Sequence, residues 1–560
     1  MTPYYKPRTK AQEATQAIER IYVTMRHLFN RGYYKPMGVS GTTLRESLLA
    51  LQPEIYGTIA ENKVELDGML YVLERLPEGI EECRIINLTS SEGFNDTSFK
   101  KIIPEKRRRN CYRIDENQMN IEITRGRSDI YDILTHLTFL FIESQKIAKR
   151  IIEQKAQGLD SDWQVLSKLV QSKNYTPKEI DIALAHTSNI IGRTYNETLQ
   201  FAKTINTEDN SIKLLKIIYW LALLGLEELN EKAKRSITFS PILRERLGHH
   251  LHGEIWADQI KEMLHHKKLF GKPIHLISAN MHSVMNCLYA KQAFTKNKTS
   301  SEDEIYELLS KTENSHLREA VKMFALKNGM HYLKDSSGTN IDVQIFDLSQ
   351  VDLTKSFVSN FNSKLKSECV LIVMDYAFGE QAFETLDELL KPYKKDPQNH
   401  IPININSISI MGKAGILAGD KGDIMIPNAH IFEGTADNYP FENAFSVEKF
   451  KKYGFNTVEG TMITVLGTSL QNKEMLSYFK NSSWNVVGLE MEGAHYQKAI
   501  QAATKIRKNI NADVVLRYAY YASDNPLETG KTLASGGLGL TGVKPTYHIT
   551  LEILHQILVN

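Results

Sequence analysis

At 560 residues the chain is too long for one ordinary hydrophobic core, so at least two domains are expected. An apolar content of 42%, a charged content of 24% and a formal net charge of +2 describe an ordinary globular protein and exclude one held to nucleic acid by bulk charge. The four cysteines, Cys83, Cys111, Cys287 and Cys369, lie far apart with no CxxC spacing, which indicates neither a zinc site nor a disulfide framework and points to a reducing compartment. The first residues, Met1 to Lys6, lack the apolar core of a signal peptide. The most apolar helix candidate, Ile217 to Leu226, has only ten uncharged residues, too few to span a bilayer. A cytoplasmic protein without membrane or nucleic-acid partners is expected.

The first half reads mainly as helices. Ala14, Ile18, Ile21, Tyr22, Met25 and Leu28 recur at helical spacing over residues 11–29, and Arg31-Gly32 ends the pattern. Thr43 and Glu46 have the spacing of a capping box ahead of Ser47-Leu48-Leu49. Long amphipathic runs follow at 129–154, 177–205 and 212–234, while 83–88 and 119–125 read as short strands of a small sheet beside the helices. The run Lys106-Arg107-Arg108-Arg109 reads as a solvated basic loop.

Beyond Phe270-Gly271-Lys272-Pro273 short apolar strands alternate with helical runs, the signature of βαβ units. Strands are predicted at 273–279, 341–348, 369–374, 406–411, 422–427 and 461–465, and before Glu490 and Asp524. The fold class expected is α/β: a C-terminal domain, 268–560, with a central mixed sheet flanked by helices, preceded by a mainly helical N-terminal domain, 1–267, for oligomerisation or regulation. The last two strands end in carboxylates: Val487 to Ala494 (VGLEMEGA) carries Glu490, Met491 and Glu492, and the strand 514–522 ends in Ser523-Asp524-Asn525-Pro526. Ligands of open α/β sheets lie at the carboxyl ends of the strands, so Glu492 and Asp524 are placed to face one small molecule.

Four stretches in order, 406–418 (NSISIMGKAGILA), 422–434 (GDIMIPNAHIFEG), 488–494 (GLEMEGA) and 521–526 (YASDNP), together with 374–390 around Gly379, make the C-terminal half resemble the nucleoside phosphorylase and nucleosidase superfamily. Within it, Ser523 to Leu527 followed by Lys531 looks most like AMP nucleosidases. The resemblance implies a phosphorylase-like fold, no cofactor and no metal. It also implies an N-glycosidase acting on a purine nucleotide or nucleoside, in a homo-oligomer. It assigns the proton of the leaving base to Asp524 and the ribose hydroxyls to Glu492, with Met491 packed on the sugar and Glu490 beside it. Such roles suit the chemistry, because a departing purine needs a proton and an oxocarbenium-like sugar needs a nearby anion.

Further substrate contacts follow from the same resemblance. Gly412 and Lys413 of a Gly-x-x-Gly turn let backbone approach the ligand, and Gly379, Ser523 and Asn280 line the strand ends. His430 and Phe432 wall the pocket. His282 orients or deprotonates an attacking water, its ordinary pKa being near neutrality. Phosphorylases of the superfamily carry an arginine two residues before the first glycine of that turn, where Ile410 stands here. That difference favours hydrolysis. Phosphate-dependent cleavage stays open if Lys413 restores the charge, as does a sensor that binds nucleotide without cleaving it. Gly537 to Gly542 matches G-x-G-x-x-G outside any βαβ unit and reads as a flap over the site.

Overall fold

The computed structural model describes residues 8–107, 109–158, 161–294, 301–358, 360–396, 398–435, 437–529 and 539–559. The chain divides into two compact units. The first holds residues up to 124, 129–248 and 469–475; the second holds 125–128, 249–468 and 476 onward.

The first unit is mainly helical, and it also contains a six-stranded mixed sheet. Its strands are β1 (Tyr33–Tyr34), β2 (Ile85–Thr89), β3 (Lys100–Ile102), β4 (Cys111–Arg113), β5 (Gln118–Glu122) and β6 (Ser236–Phe239), in the order β1-β6-β2-β5-β4-β3. The helix Lys10–Arg31 starts with a capping box from Thr9 and Gln12 and ends at Gly32, whose φ of 89° suits glycine. The expected box at Thr43 is not formed: the helix begins earlier, at Val39, and the Thr43 hydroxyl donates to the Val39 carbonyl. The run 177–205 is two helices, Pro177–Ile191 and Tyr195–Ile205, parted by Gly192 in the left-handed region and restarted by a capping box of Thr194 and Glu197.

The basic run at 106–109 is not a free loop. Arg108 lies outside the described residues, Lys106 pairs with Glu74 at 2.6 Å, and Arg109 is buried between Asp129 (2.6 Å) and Asp132 (2.9 Å).

The second unit has the expected α/β alternation. Its strands are β7 (Ile274–Ser278), β8 (Met330–Leu333), β9 (Val343–Asp347), β10 (Val370–Met374), β11 (Tyr393–Asp396), β12 (Asn399–Ile401), β13 (Ile405–Ile416), β14 (Ile424–Phe432), β15 (Asn438–Pro440), β16 (Thr457–Thr464), β17 (Val486–Glu490) and β18 (Val515–Asp524). All but the β11–β12 hairpin join one mixed ten-stranded sheet. Its centre, β10-β7-β13, is parallel, so the strands are buried on both faces and read as continuous apolar runs. The period of two sorts them: Ile274 and Leu276 pack into one core with Val370 and Ile372, while Ile277 joins Leu371 and Val373 in the other.

Strand β13 is long enough to serve two neighbourhoods. Its first half pairs with β7, its last residues with β17, and nearly its whole length with β18. Because β18 also pairs with β14, and β14 with β16, and β16 with β17, these five strands close into a ring. The Gly412-Lys413-Ala414-Gly415 segment expected as a turn is therefore strand: β18 pairs along it from Gly412 opposite Tyr520 to Ala414 opposite Ala522, and after a register shift at Ser523 Gly415 stands opposite Asp524.

Candidate active site

The parallel strands β7 and β10 deliver their carboxyl ends to one side of the second unit. After β7, Asn280 caps the helix Met281–Ala293, its side-chain oxygen accepting the His282 N–H at 2.8 Å. His282 is exposed in the same first turn; desolvation of its ring lowers its pKa, and Arg318 lowers it further. After β10, the Asp375 carboxylate accepts the Tyr376 N–H at 2.8 Å. Burial raises the Asp375 pKa, and Asp342 adds to the rise against His282 and Arg125.

At the end of β17 the two glutamates have different work. Glu490 is buried and accepts from Thr464 Oγ1 (2.5 Å), from the Glu492 N–H (2.5 Å) and from the Gly493 N–H. It thus satisfies the first N–H groups of the helix Gly493–Gln501, while the Ala494 N–H donates to Thr464 Oγ1 at 2.9 Å. Burial, then the neighbouring Glu492, lifts its pKa to about 8. Glu490 holds the corner, and Glu492 at the N-cap position is the half-buried carboxylate of the pair.

Glu492 Oε1 accepts the Gly379 N–H at 2.9 Å. Gly379 has a φ of 56°, and Met491 packs near it: a Cβ built there would lie 3.9 Å from Met491 Cε. The next residue, Glu380, is fixed by its N–H donating to Ser128 Oγ (2.8 Å) and by an ion pair with Arg127 (3.2 Å). Gly379, Met491 and Glu492 are thus brought together. His430 is instead wholly buried under this corner rather than walling a pocket. Its Nε2 lies 3.2 Å from the Tyr520 hydroxyl, its ring stacks on Phe441, and burial pulls its pKa to about 3, leaving it neutral. The Cβ of any larger residue at 493 would collide with that imidazole. Phe432 is half-buried, edge-on to His495 at 4.7 Å.

Strand β18 carries Ser523 and Asp524 to its end. The Ser523 hydroxyl lies 2.5 Å from Asp524 Oδ1 and 3.1 Å from the Ala414 carbonyl, and its single proton serves one of them at a time. Asp524 Oδ2 is buried with no hydrogen-bond partner among the described residues. Burial raises the Asp524 pKa, opposed by Ser523, Lys413 and Lys421. Glu492 and Asp524 do not stand on adjacent strands: Gly415 pairs with Leu489 of β17 on one side and with Asp524 on the other. Strand β13 lies between the two acidic ends.

Lys413, exposed on β13 opposite Tyr521, also lines a cavity of about 480 Å³ with Asn280, His282, Arg318 and Tyr521. Among the described residues no carboxylate lines it. The Arg318 guanidinium is held by the carbonyls of Leu309 (2.9 Å) and Lys311 (2.6 Å), so its charge is fixed at the wall. Gly539 and Gly542 border the same cavity; Lys531, Gly537 and Leu538 lie outside the described residues.

Sequence reasoning missed Asp375, Arg318 and the segment Arg125–Ser128. Asp375 had a signal, since it follows an apolar strand as Asp524 ends one. Arg318 sits in the first turn of the helix Ser315–Lys327 and had none. Among the described residues no cluster of three or more His, Cys, Asp or Glu is placed to hold a metal ion, and no helix is long and apolar enough to cross a membrane.

Residues 42–328 and 305–559 match the family described as "Family of unknown function (DUF6909)". The chain belongs to that family. No curated protein matches it. Among solved structures it is similar to the 5'-methylthioadenosine/S-adenosyl homocysteine nucleosidase of Campylobacter jejuni, at 12% identity and a TM-score of 0.30, over 51% of this chain and 97% of that one. It is also similar to a futalosine hydrolase mutant of Helicobacter pylori strain 26695 (10% identity, TM-score 0.30, 51% and 99% covered). A purine nucleoside phosphorylase from Toxoplasma gondii in complex with immucillin-H has 12% identity, a TM-score of 0.28 and coverages of 51% and 91%.

Proposed function

We propose that the second unit hydrolyses the N-glycosidic bond of a purine nucleotide or nucleoside, as AMP nucleosidases do, releasing the free base and ribose 5-phosphate or ribose. The observation that carries this reading is Asp524, an unpartnered buried carboxyl oxygen with a raised pKa, one strand away from Gly415 with the Glu492 corner on the other side. A carboxyl that holds its proton more tightly than an ordinary aspartate is suited to protonate a departing purine. Glu492, anchored by Gly379, takes the ribose hydroxyls and favours the positive charge that develops on the sugar. His282, which lines the cavity with Lys413, orients the attacking water. No metal or cofactor is assigned a part.

Lys413 and Arg318, in a cavity lined by no carboxylate among the described residues, favour a nucleotide over a nucleoside, because two cations there suit a 5′-phosphate. The same two cations also suit inorganic phosphate as the nucleophile, which is the reading for a phosphorylase. We assign catalysis to residues 268–560 and oligomerisation or regulation to 1–267, in a cytoplasmic homo-oligomer.

The test is to incubate the purified chain with purine 5′-monophosphates and nucleosides and to follow free base, with and without inorganic phosphate. Base release from a monophosphate without added phosphate is expected. Ribose 1-phosphate formed only when phosphate is added would make the enzyme a phosphorylase. Nucleotide binding with no base released would make it a sensor.

A further inference from the structure

The first unit contains a second cation-rich cavity, of about 300 Å³. The helix Gly126–Ala156 presents Lys146, Lys149, Arg150 and Glu153 to it from one face, at the three- and four-residue spacings that make helical neighbours. Arg45 enters from the helix Val39–Leu51, and Glu61 from the loop that follows.

The charges do not balance. Lys146 is already taken, 2.7 Å from Glu143 and donating to the carbonyls of Thr58 (3.3 Å) and Lys63 (3.2 Å). Glu61 is taken by Lys63 at 2.9 Å. Three cations, Arg45, Lys149 and Arg150, then face the single carboxylate of Glu153, and none of the three has an ion-pair partner among the described residues. Arg45 donates only to neutral oxygens, Gln145 Oε1 at 2.5 Å and Thr42 Oγ1 at 3.1 Å, and its Nε is buried with no hydrogen-bond partner among the described residues. A buried guanidinium nitrogen without an acceptor is costly. Ile59 and Ile142 give the cavity an apolar wall beside the charges.

We propose that this cavity binds a small phosphate-bearing molecule, its phosphoryl oxygens taken by Arg45, Lys149 and Arg150 and its apolar part lying on Ile59 and Ile142. Arginine matches phosphate bidentately, and a cavity of this size falls at the small end of ligand sites. The site is independent of the nucleosidase reading, since none of its residues belongs to the second unit.

The test is calorimetric titration of the full chain with inorganic pyrophosphate. Saturable binding is expected in the parent and in Lys413→Glu, which removes a cation from the other cavity. Affinity should fall at least ~10-fold in Arg45→Gln and in Lys149→Glu, as expected for a charge-assisted phosphate contact. Lys149 is exposed, so its replacement tests the site even if Arg45→Gln disturbs folding. Affinity unchanged in Lys149→Glu and lost in Lys413→Glu overturns the proposal. So does the absence of saturable binding up to ~10 mM, weaker than any useful site.

Discussion

Two carboxylate sites, one in each unit, meet opposite fates. In the first unit Asp129 and Asp132 close on Arg109, which also donates to the Arg75 carbonyl at 3.1 Å, and Asp132 further holds His136 at 3.3 Å. The Asp132 pKa lies well below the ordinary value: burial alone would raise it, and His136, Arg107 and Arg109 together override that. In the second unit Asp524 has an oxygen with no partner among the described residues, and both it and Glu490 are pushed up by burial. A buried charge whose bonds are met is scaffold. One left unmet is where chemistry is sought.

Breaking the first unit's network is expected to have the largest effect on stability. Arg109→Met takes the ion-pair partner from buried Asp129 and leaves Asp132 with only Arg107 and His136, and should cost ~3–5 kcal/mol in urea unfolding. A loss near zero would mean that the network is hydrated and the contrast between the units false.

A smaller effect sharpens the other side. The Glu490 pKa stands at about 8 in the folded protein against an ordinary 4.5. The folded state therefore keeps a proton that the unfolded chain has released, and this group takes stability away as pH rises through that window. Glu490→Gln removes the titration, so its stability relative to the parent should rise from pH 4.5 to pH 8. A difference that does not change with pH would show that Glu490 is ionised throughout.

Much of the second unit was legible in the sequence, because parallel strands buried on both faces are short apolar runs and their carboxyl ends carry the acids. What was not legible was non-local. Gly412 and Gly415 signalled a turn, yet pairing to β18 about a hundred residues later keeps that segment extended. The same pairing puts Gly415 between the two acids that the sequence placed side by side. His430 followed a strand in the way a pocket residue does, but the glycine at 493 gives it room to sink beneath the corner. Ser128 meets Gly379 and Glu380 from some 250 residues away, which no local pattern reveals.

The account rests on Asp524 as the group that protonates the leaving base. The direct measurement is free-base release by Asp524→Asn against the parent on the best purine substrate, with urea unfolding run alongside. Loss of ~10²–10⁴-fold in kcat, the range for a general acid, with an unchanged unfolding midpoint is the predicted result. Undiminished base release by a folded Asp524→Asn protein would contradict it.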